Sequence, residues 1–290
     1  MNIVVLQDAK YPKLLKEIGK SAPKQLYYKG SYSEEIFSNC LAVVGSRQMT
    51  SYGKRVVEQI VTEVAAAGIT IVSGFMYGVD ATAHKTALSV ANGRTIAVMP
   101  CGIDLIHPEY QQDLYGEILK NNGLIISEYE GNFAPTLWTY PRRNRIVAGL
   151  SKAVLVVEAG EKSGSLITAN YARKFKRKLF VVPGPITSEN SKGIMELLKQ
   201  GATPISSAKD ILDYYGFSGL RSLASKKEAK LLNGTGALEN QIIAKLKRES
   251  VEIDVLARTF EMPVSKMGTT LSLMQLQGLI KQDGPKYYVN

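Results

Sequence analysis

The sequence predicts an α/β protein, a Rossmann-like parallel sheet followed by a small C-terminal winged-helix domain, and three observations predict it. From residue 41 to about 207, short apolar runs alternate with amphipathic stretches, the pattern of parallel strands joined by crossover helices. The stretch 217–236 interrupts that pattern with Ser218, Gly219, Ser222, Ser225, Lys226, Lys227, Gly234 and Gly236. Beyond it, three helical segments precede two short extended ones around Asp283, Gly284 and Pro285.

Taken in order, residues 1–40 read as a short lead-in segment. Strands are expected at Leu41–Val44, Ile69–Ser73, Thr95–Met99, Leu124–Ser127, Ala153–Glu158 and Leu179–Val182, aliphatic enough to be buried on both faces. Between the first two, Val56, Val57, Ile60, Val61 and Val64 recur at helical spacing, and Gly68 follows as a stop. The Rossmann-like domain is thus expected over 41–216, a linker over 217–236 and the winged helix over 237–290. Its helices are expected near Leu238–Lys247, Ile253–Phe260 and Pro263–Gln277, the third with Val264, Met267, Leu271 and Met274 as packed core.

With a formal net charge of +10 over 290 residues, the chain attracts polyanions such as nucleic acid. Only two cysteines occur, Cys40 and Cys101, so no disulfide framework is expected and the cytoplasm is the simplest compartment. The first ten residues contain Asp8 and no long apolar run, unlike a signal peptide or a membrane span. His84 and His107 stand far from any clustered cysteines, so a zinc site is not expected.

In open parallel sheets, ligands bind beyond the carboxyl ends of the strands. Those positions here carry Gly45-Ser46-Arg47, Gly74, Gly78, Pro100-Cys101-Gly102 and Pro183-Gly184. Each glycine alone reads as a tight turn, but several on one rim suggest close backbone approach to a phosphate. Neither a G-x-G-x-x-G fingerprint nor a Walker loop follows the first strand, so no nucleotide cofactor is expected.

Three further segments carry polar chemistry toward that rim. Arg142, Arg143, Asn144 and Arg145 follow Pro141 at an expected helix start, where guanidinium forks suit phosphate oxygens. The competing reading is a solvated helix face with internal salt bridges. Ser163, Gly164 and Ser165 open another helix, to cap it or to contact phosphate. The run Arg173, Lys174, Lys176, Arg177 and Lys178 reads as solvent-facing.

Together these segments resemble the DprA/Smf family. Val44-Gly45-Ser46-Arg47 with Thr50, Tyr52 and Gly53 looks like its first signature loop, and Ser73-Gly74, Gly78-Val79-Asp80 and Ala83-His84 like its second block. Gly102, Asp104 and Pro108 follow, then Ser127-Glu128, then Arg143-Asn144-Arg145-Ile146 and Ser163-Gly164-Ser165-Leu166-Ile167-Thr168. Departures are Met76-Tyr77, Cys101, Tyr129 and a reduced region before the Tyr11-Pro12-Leu14-Leu15 motif. The resemblance implies an extended Rossmann fold, a homodimer, single-stranded DNA binding, protection of incoming strands in natural transformation and loading of the RecA recombinase, without catalysis. Carried over by position, Arg47 becomes the main phosphate anchor, with Ser46, Gly102, Arg143, Asn144, Ser163 and Gly164 around it.

Two alternatives are distinguishable. The Rossmann-like nucleoside monophosphate hydrolases related to lysine decarboxylase carry a Pro-Gly-Gly-x-Gly-Thr loop, absent at Glu158–Ser165, although Glu128 and Glu158 are candidate acids or bases. A duplex-reading winged helix needs polar side chains on its third helix, which offers only Lys266, Gln275 and Gln277, so a protein contact suits the tail better.

Overall fold

The computed structural model describes residues 2–217 and 236–289, so the expected linker lies, except for its two end residues, outside the described residues. The chain divides into two compact units, Met1–Leu220 and Arg221–Asn290. Among the described residues, no helix is long and apolar enough to cross a membrane.

The first unit is a nine-stranded sheet in the order β1-β2-β6-β5-β4-β3-β7-β8-β9. Its strands are β1 Asn2–Val5, β2 Gln25–Gly30, β3 Cys40–Val44, β4 Thr70–Ser73, β5 Thr95–Gly102, β6 Leu124–Tyr129, β7 Ala153–Val156, β8 Lys178–Val181 and β9 Thr203–Pro204. From β6 to β9 every pairing is parallel. Residues 1–40, read from sequence as a lead-in, instead supply an antiparallel edge: β1 pairs with β2, and β2 with β6, Tyr27 facing Ser127. Its strands are short: β1 carries only the apolar run Ile3-Val4-Val5, with Asn2 and Ile3 exposed, and β2 mixes Leu26 and two tyrosines with Gln25, Lys29 and Gly30, so neither reads as a strand buried on both faces.

Nine helices, α1 Lys13–Lys16, α2 Glu34–Ser38, α3 Ser51–Ala66, α4 Val79–Leu88, α5 Gln112–Lys120, α6 Thr139–Leu150, α7 Gly164–Lys174, α8 Lys192–Lys199 and α9 Ala208–Tyr214, accompany the described part of this sheet. Side chains alternate across a strand, so Ala42 and Val44 join the core under α6, α7 and α8, while Leu41 and Val43 join the core under α3, α4 and α9. Helix α3 begins with Thr50 accepting from the Gly53 N–H at 3.1 Å and ends before Gly68 at φ +87°.

The buried His84 gives this unit a pH dependence. Its Nδ1 lies 2.6 Å from Thr95 Oγ1, and that hydroxyl donates to the Ile71 carbonyl at 2.9 Å. The imidazole is therefore the donor at Nδ1, and Nε2 is a buried acceptor without a partner. Burial, assisted by Arg143, holds its pKa down to about 3. The unfolded chain binds a proton near pH 6.5 that the fold rejects, so stability is complete above that pH and falls as pH drops toward 3. The slope is about 1.4 kcal/mol per pH unit. His84→Gln is expected to shrink the difference in urea midpoint between pH 7 and pH 5; an undiminished difference would contradict this.

In the second unit, α10 Ala237–Arg248, α11 Ile253–Thr259 and α12 Val264–Leu276 pack on a three-stranded sheet of order β10-β12-β11. The strands are β10 Val251–Glu252, β11 Ile280–Asp283 and β12 Lys286–Val289. Ile242, Leu246, Leu256, Met267, Leu271 and Met274 form its core. Val264, expected in that core, is exposed because it opens α12 ahead of the buried turn.

Candidate nucleic-acid interface

Right-handed crossovers deliver the carboxyl end of each parallel strand and the amino end of the helix after it to the same edge of the sheet. Here that edge gathers the starts of α3, α4, α6, α7 and α8, with the positive ends of their dipoles. The strand order reverses between β3 and β7, so the loops 45–50 and 157–163 flank the switch point.

The floor of that switch point is filled by the protein itself. The buried Glu158 carboxylate accepts from Thr50 N–H at 2.9 Å, from the Thr50 hydroxyl and from Asn190 Nδ2 at 3.4 Å. Ser46 Oγ accepts from Gln48 N–H at 3.0 Å and donates to Asn190 Oδ1 at 3.4 Å. Gly78 needs φ +73°, and a Cβ there would lie 2.3 Å from the Ser46 carbonyl, which locks the loop after β4 against the loop after β3. A ligand therefore meets the top of these loops rather than a deep cavity.

The arginine block divides by burial, a correction to its reading as three phosphate donors. Arg143 is 4% exposed, and its Nη1 donates to the carbonyls of Gly74 and Val98. Burial pushes its pKa down to about 10, Asp80 opposes that shift and Arg47 adds to it. Gly74 has no room for a Cβ, which would sit 2.6 Å from the Arg143 guanidinium. Arg145, also buried, donates to the Ser21 carbonyl at 2.7 Å and to both Glu128 oxygens at 2.6 Å. Of the three, only Arg142 is solvent-exposed, held 3.2 Å from Glu128 and over the Trp138 ring at 5.7 Å. Asn144 accepts from Arg143 Nε and donates to the Gly164 carbonyl, both at 3.2 Å, which joins α6 to the start of α7.

The remaining sequence-predicted positions separate in the same way. Ser163 caps α7, accepting from Ser165 N–H at 3.3 Å, and its hydroxyl lies 2.7 Å from that of the buried Ser165. Gly164 is exposed with open space around it. Gly45 and Gly102 are packing positions, closed by Val79 and by the backbone of residues 130–133. Glu128 and Glu158 are both taken up internally, which leaves neither placed as a general acid or base.

Arg47 is exposed on the rim. Its guanidinium lies 5.7 Å from the Tyr77 ring centroid and 5.5 Å from that of Tyr140, and among the described residues no hydrogen bond or ion pair takes it up. Two rings hold the cation in place and leave its N–H edges free for an anion. Tyr110, 68% exposed, stands 6.1 Å from Tyr77, and the Tyr140 hydroxyl lies 2.7 Å from His107 Nε2. Beside the start of α6, Phe133 and Trp138 form a second aromatic group with Tyr129. The residue-by-residue reading missed these rings. They lie on separate elements, and the departures at Met76-Tyr77 and Tyr129 were their sequence signals.

Among the described residues, no group of acidic, histidine and cysteine side chains is arranged to hold a metal ion. What the rim offers is a fixed cation, stacking faces and helix amino ends, the parts that bind a flexible phosphodiester strand.

Comparison with known proteins agrees in family. The model of the DNA recombination-mediator protein A family matches residues 2–216, and that of the DprA winged helix domain matches 226–284. Protein Smf of Escherichia coli is 37% identical over 262 residues, 89% of this chain and 69% of that protein. The X-ray structure of DNA processing protein A from Streptococcus pneumoniae is similar at a TM-score of 0.68 and 37% identity, covering 73% of each chain. DNA processing protein A from Helicobacter pylori, whose structure concerns its single-stranded DNA binding mode, is similar at 0.65 and 33%, covering 74% of this chain and 96% of that one. A Rossmann-like sheet carrying the family's loops, followed in the sequence by a winged helix, makes this chain a member of the DprA/Smf family.

Proposed function

We propose that this protein binds single-stranded DNA on the rim around Arg47, protects the strand, and passes it to a RecA-type recombinase during natural transformation or recombination. The observation that carries the reading is the unpaired Arg47 guanidinium between Tyr77 and Tyr140. Phosphate contacts hold a strand irrespective of sequence, and unstacked bases lie on exposed rings, which a duplex does not offer. The resemblance supports the transfer to RecA, action as a homodimer in the cytoplasm, and a binding rather than catalytic role. The internal engagement of Glu128 and Glu158 also weighs against hydrolysis.

The chain's single tryptophan, Trp138, is 51% exposed beside the rim and reports on binding directly. Titration with single-stranded oligonucleotides is expected to quench its fluorescence at low salt, and matched duplexes are expected to bind more weakly. Preference for duplex would move the function to the winged helix, and cleavage of nucleoside monophosphates would make the protein a hydrolase.

A further inference from the structure

We propose that a basic groove at the opposite end of the sheet holds a second stretch of the same strand, an inference that rests on the rim reading. The run Arg173-Lys174-Phe175-Lys176-Arg177-Lys178 ends α7 and turns into β8. It borders a groove of about 250 Å³ lined by Arg173, Arg177, Lys178, Gln200 and the backbone near Gly201, with no carboxylate in the lining.

The cations that line this groove and those next to them in the chain differ in how they are held. Arg177 is anchored by the Leu14 carbonyl at 2.7 Å and by Glu17 at 2.9 Å, while its buried Nε has no partner. Arg173 donates only to the neutral Gln200 side chain, which itself donates to Glu196 at 2.7 Å. Lys174, Lys176 and Lys199 are exposed, and among the described residues no hydrogen bond or ion pair engages them. Cations in a last helical turn also complement the helix dipole, which accounts for Arg173, Lys174 and Lys199. It does not account for Lys176 and Lys178, which lie outside the helices, or for an acid-free groove between them and β9.

Helix α7 connects the two regions. Its amino end, Ser163 and Gly164, lies on the rim, and its carboxyl end reaches the groove at Arg173, with Lys174 next in the chain. Eleven residues span about 16 Å, which roughly five nucleotides at about 3.4 Å each would cover. The exposed positions Gly164, Ile167, Asn170 and Lys174 follow one helical face, and α7 contains neither Asp nor Glu. A strand leaving the rim therefore meets no negative charge along α7 before it reaches the basic groove.

The test is fluorescence anisotropy of the full chain with oligothymidine of about 4 nucleotides, at the lower limit of known single-strand sites and too short to sit on the rim and also span α7, and with a strand several-fold longer. Wild type, Arg47→Ala and the triple variant Arg173→Ala/Lys174→Ala/Lys176→Ala are compared, with thermal melts confirming folding of the exposed-site triple variant. The triple variant is expected to bind the short strand as wild type does. For the long strand it should lose affinity about tenfold at low salt and reduce the log–log salt slope by about 2, as loss of three phosphate contacts does. Wild-type binding of both lengths by the triple variant overturns the groove while leaving the rim standing, and a proportionate loss on both lengths overturns it as a mere net-charge effect. Unchanged short-strand binding by Arg47→Ala overturns the rim itself.

Discussion

Arg143→Leu is expected to destabilise the Rossmann-like unit by about 3–5 kcal/mol, the range for removing one partner from a buried charged pair. The guanidinium lies among the loops after β4 and β5, with the Gly74 and Val98 carbonyls as acceptors and Asp80 as the compensating buried carboxylate. Burial already raises the pKa of Asp80, and Arg143 leads the influences that oppose it. Leucine fills part of the space but orphans two carbonyls and leaves that acid uncompensated. In a unit of this size the thermal midpoint should fall by roughly 10 °C. Arg143→Lys keeps the charge but loses the Nε link to Asn144, so a partial recovery is expected. A Leu variant melting with the wild type would show that the cluster contributes little to stability.

Arg47→Ala has the opposite profile, a fold left intact and a binding function lost. The side chain is exposed and its recorded contacts are two ring faces, each worth about 0.5–1 kcal/mol at an exposed site. A charge-assisted bond to phosphate contributes about 1.5–3 kcal/mol, so single-strand affinity should fall roughly ten- to a hundredfold. The loss should be the same for every sequence, and the salt slope should drop by about 0.7 for one single-strand phosphate contact. Arg47→Lys retains charge without the fork or the stacking and should fall between the two. Tyr140→Ala should weaken binding with less change in salt slope, because it removes a stacking face. A sequence-dependent loss at Arg47 would mean that it reads bases.

Six of the seven parallel strands were legible because strands buried on both faces leave continuous aliphatic runs, as at Cys40–Val44, whose five residues are all buried, whereas the two-residue β9, Thr203–Pro204, leaves no such run. The winged-helix helices were legible from their spacing, apart from Val264 at the exposed start of α12. Residues 2–30 were not, since β1 is a four-residue edge strand with half of its residues exposed and β2 mixes polar and aromatic residues. The exposed position of Arg47 on the rim was legible from its place after the first parallel strand. Arg142, Arg143 and Arg145 looked equivalent as a run, yet Arg142 and Arg145 share the face that meets Glu128, with only Arg142 exposed, and Arg143 lies on another. Arg143 stands three and four residues before the buried Ile146 and Val147, so its side chain turns inward. That signal was present in the sequence. The meeting of Tyr77, Tyr110 and Tyr140 was not, because long-range topology alone brings those segments together.

The most direct test of the central claim is photo-cross-linking of a bromodeoxyuridine-substituted single strand to the full chain, with the modified peptides mapped by mass spectrometry. The rim account predicts adducts on Tyr77, Tyr110, Trp138 and Tyr140, lost in competition with unlabelled single strand and not with duplex. Adducts confined to residues 237–289, with the rim unmodified, would contradict it and place strand binding in the winged helix.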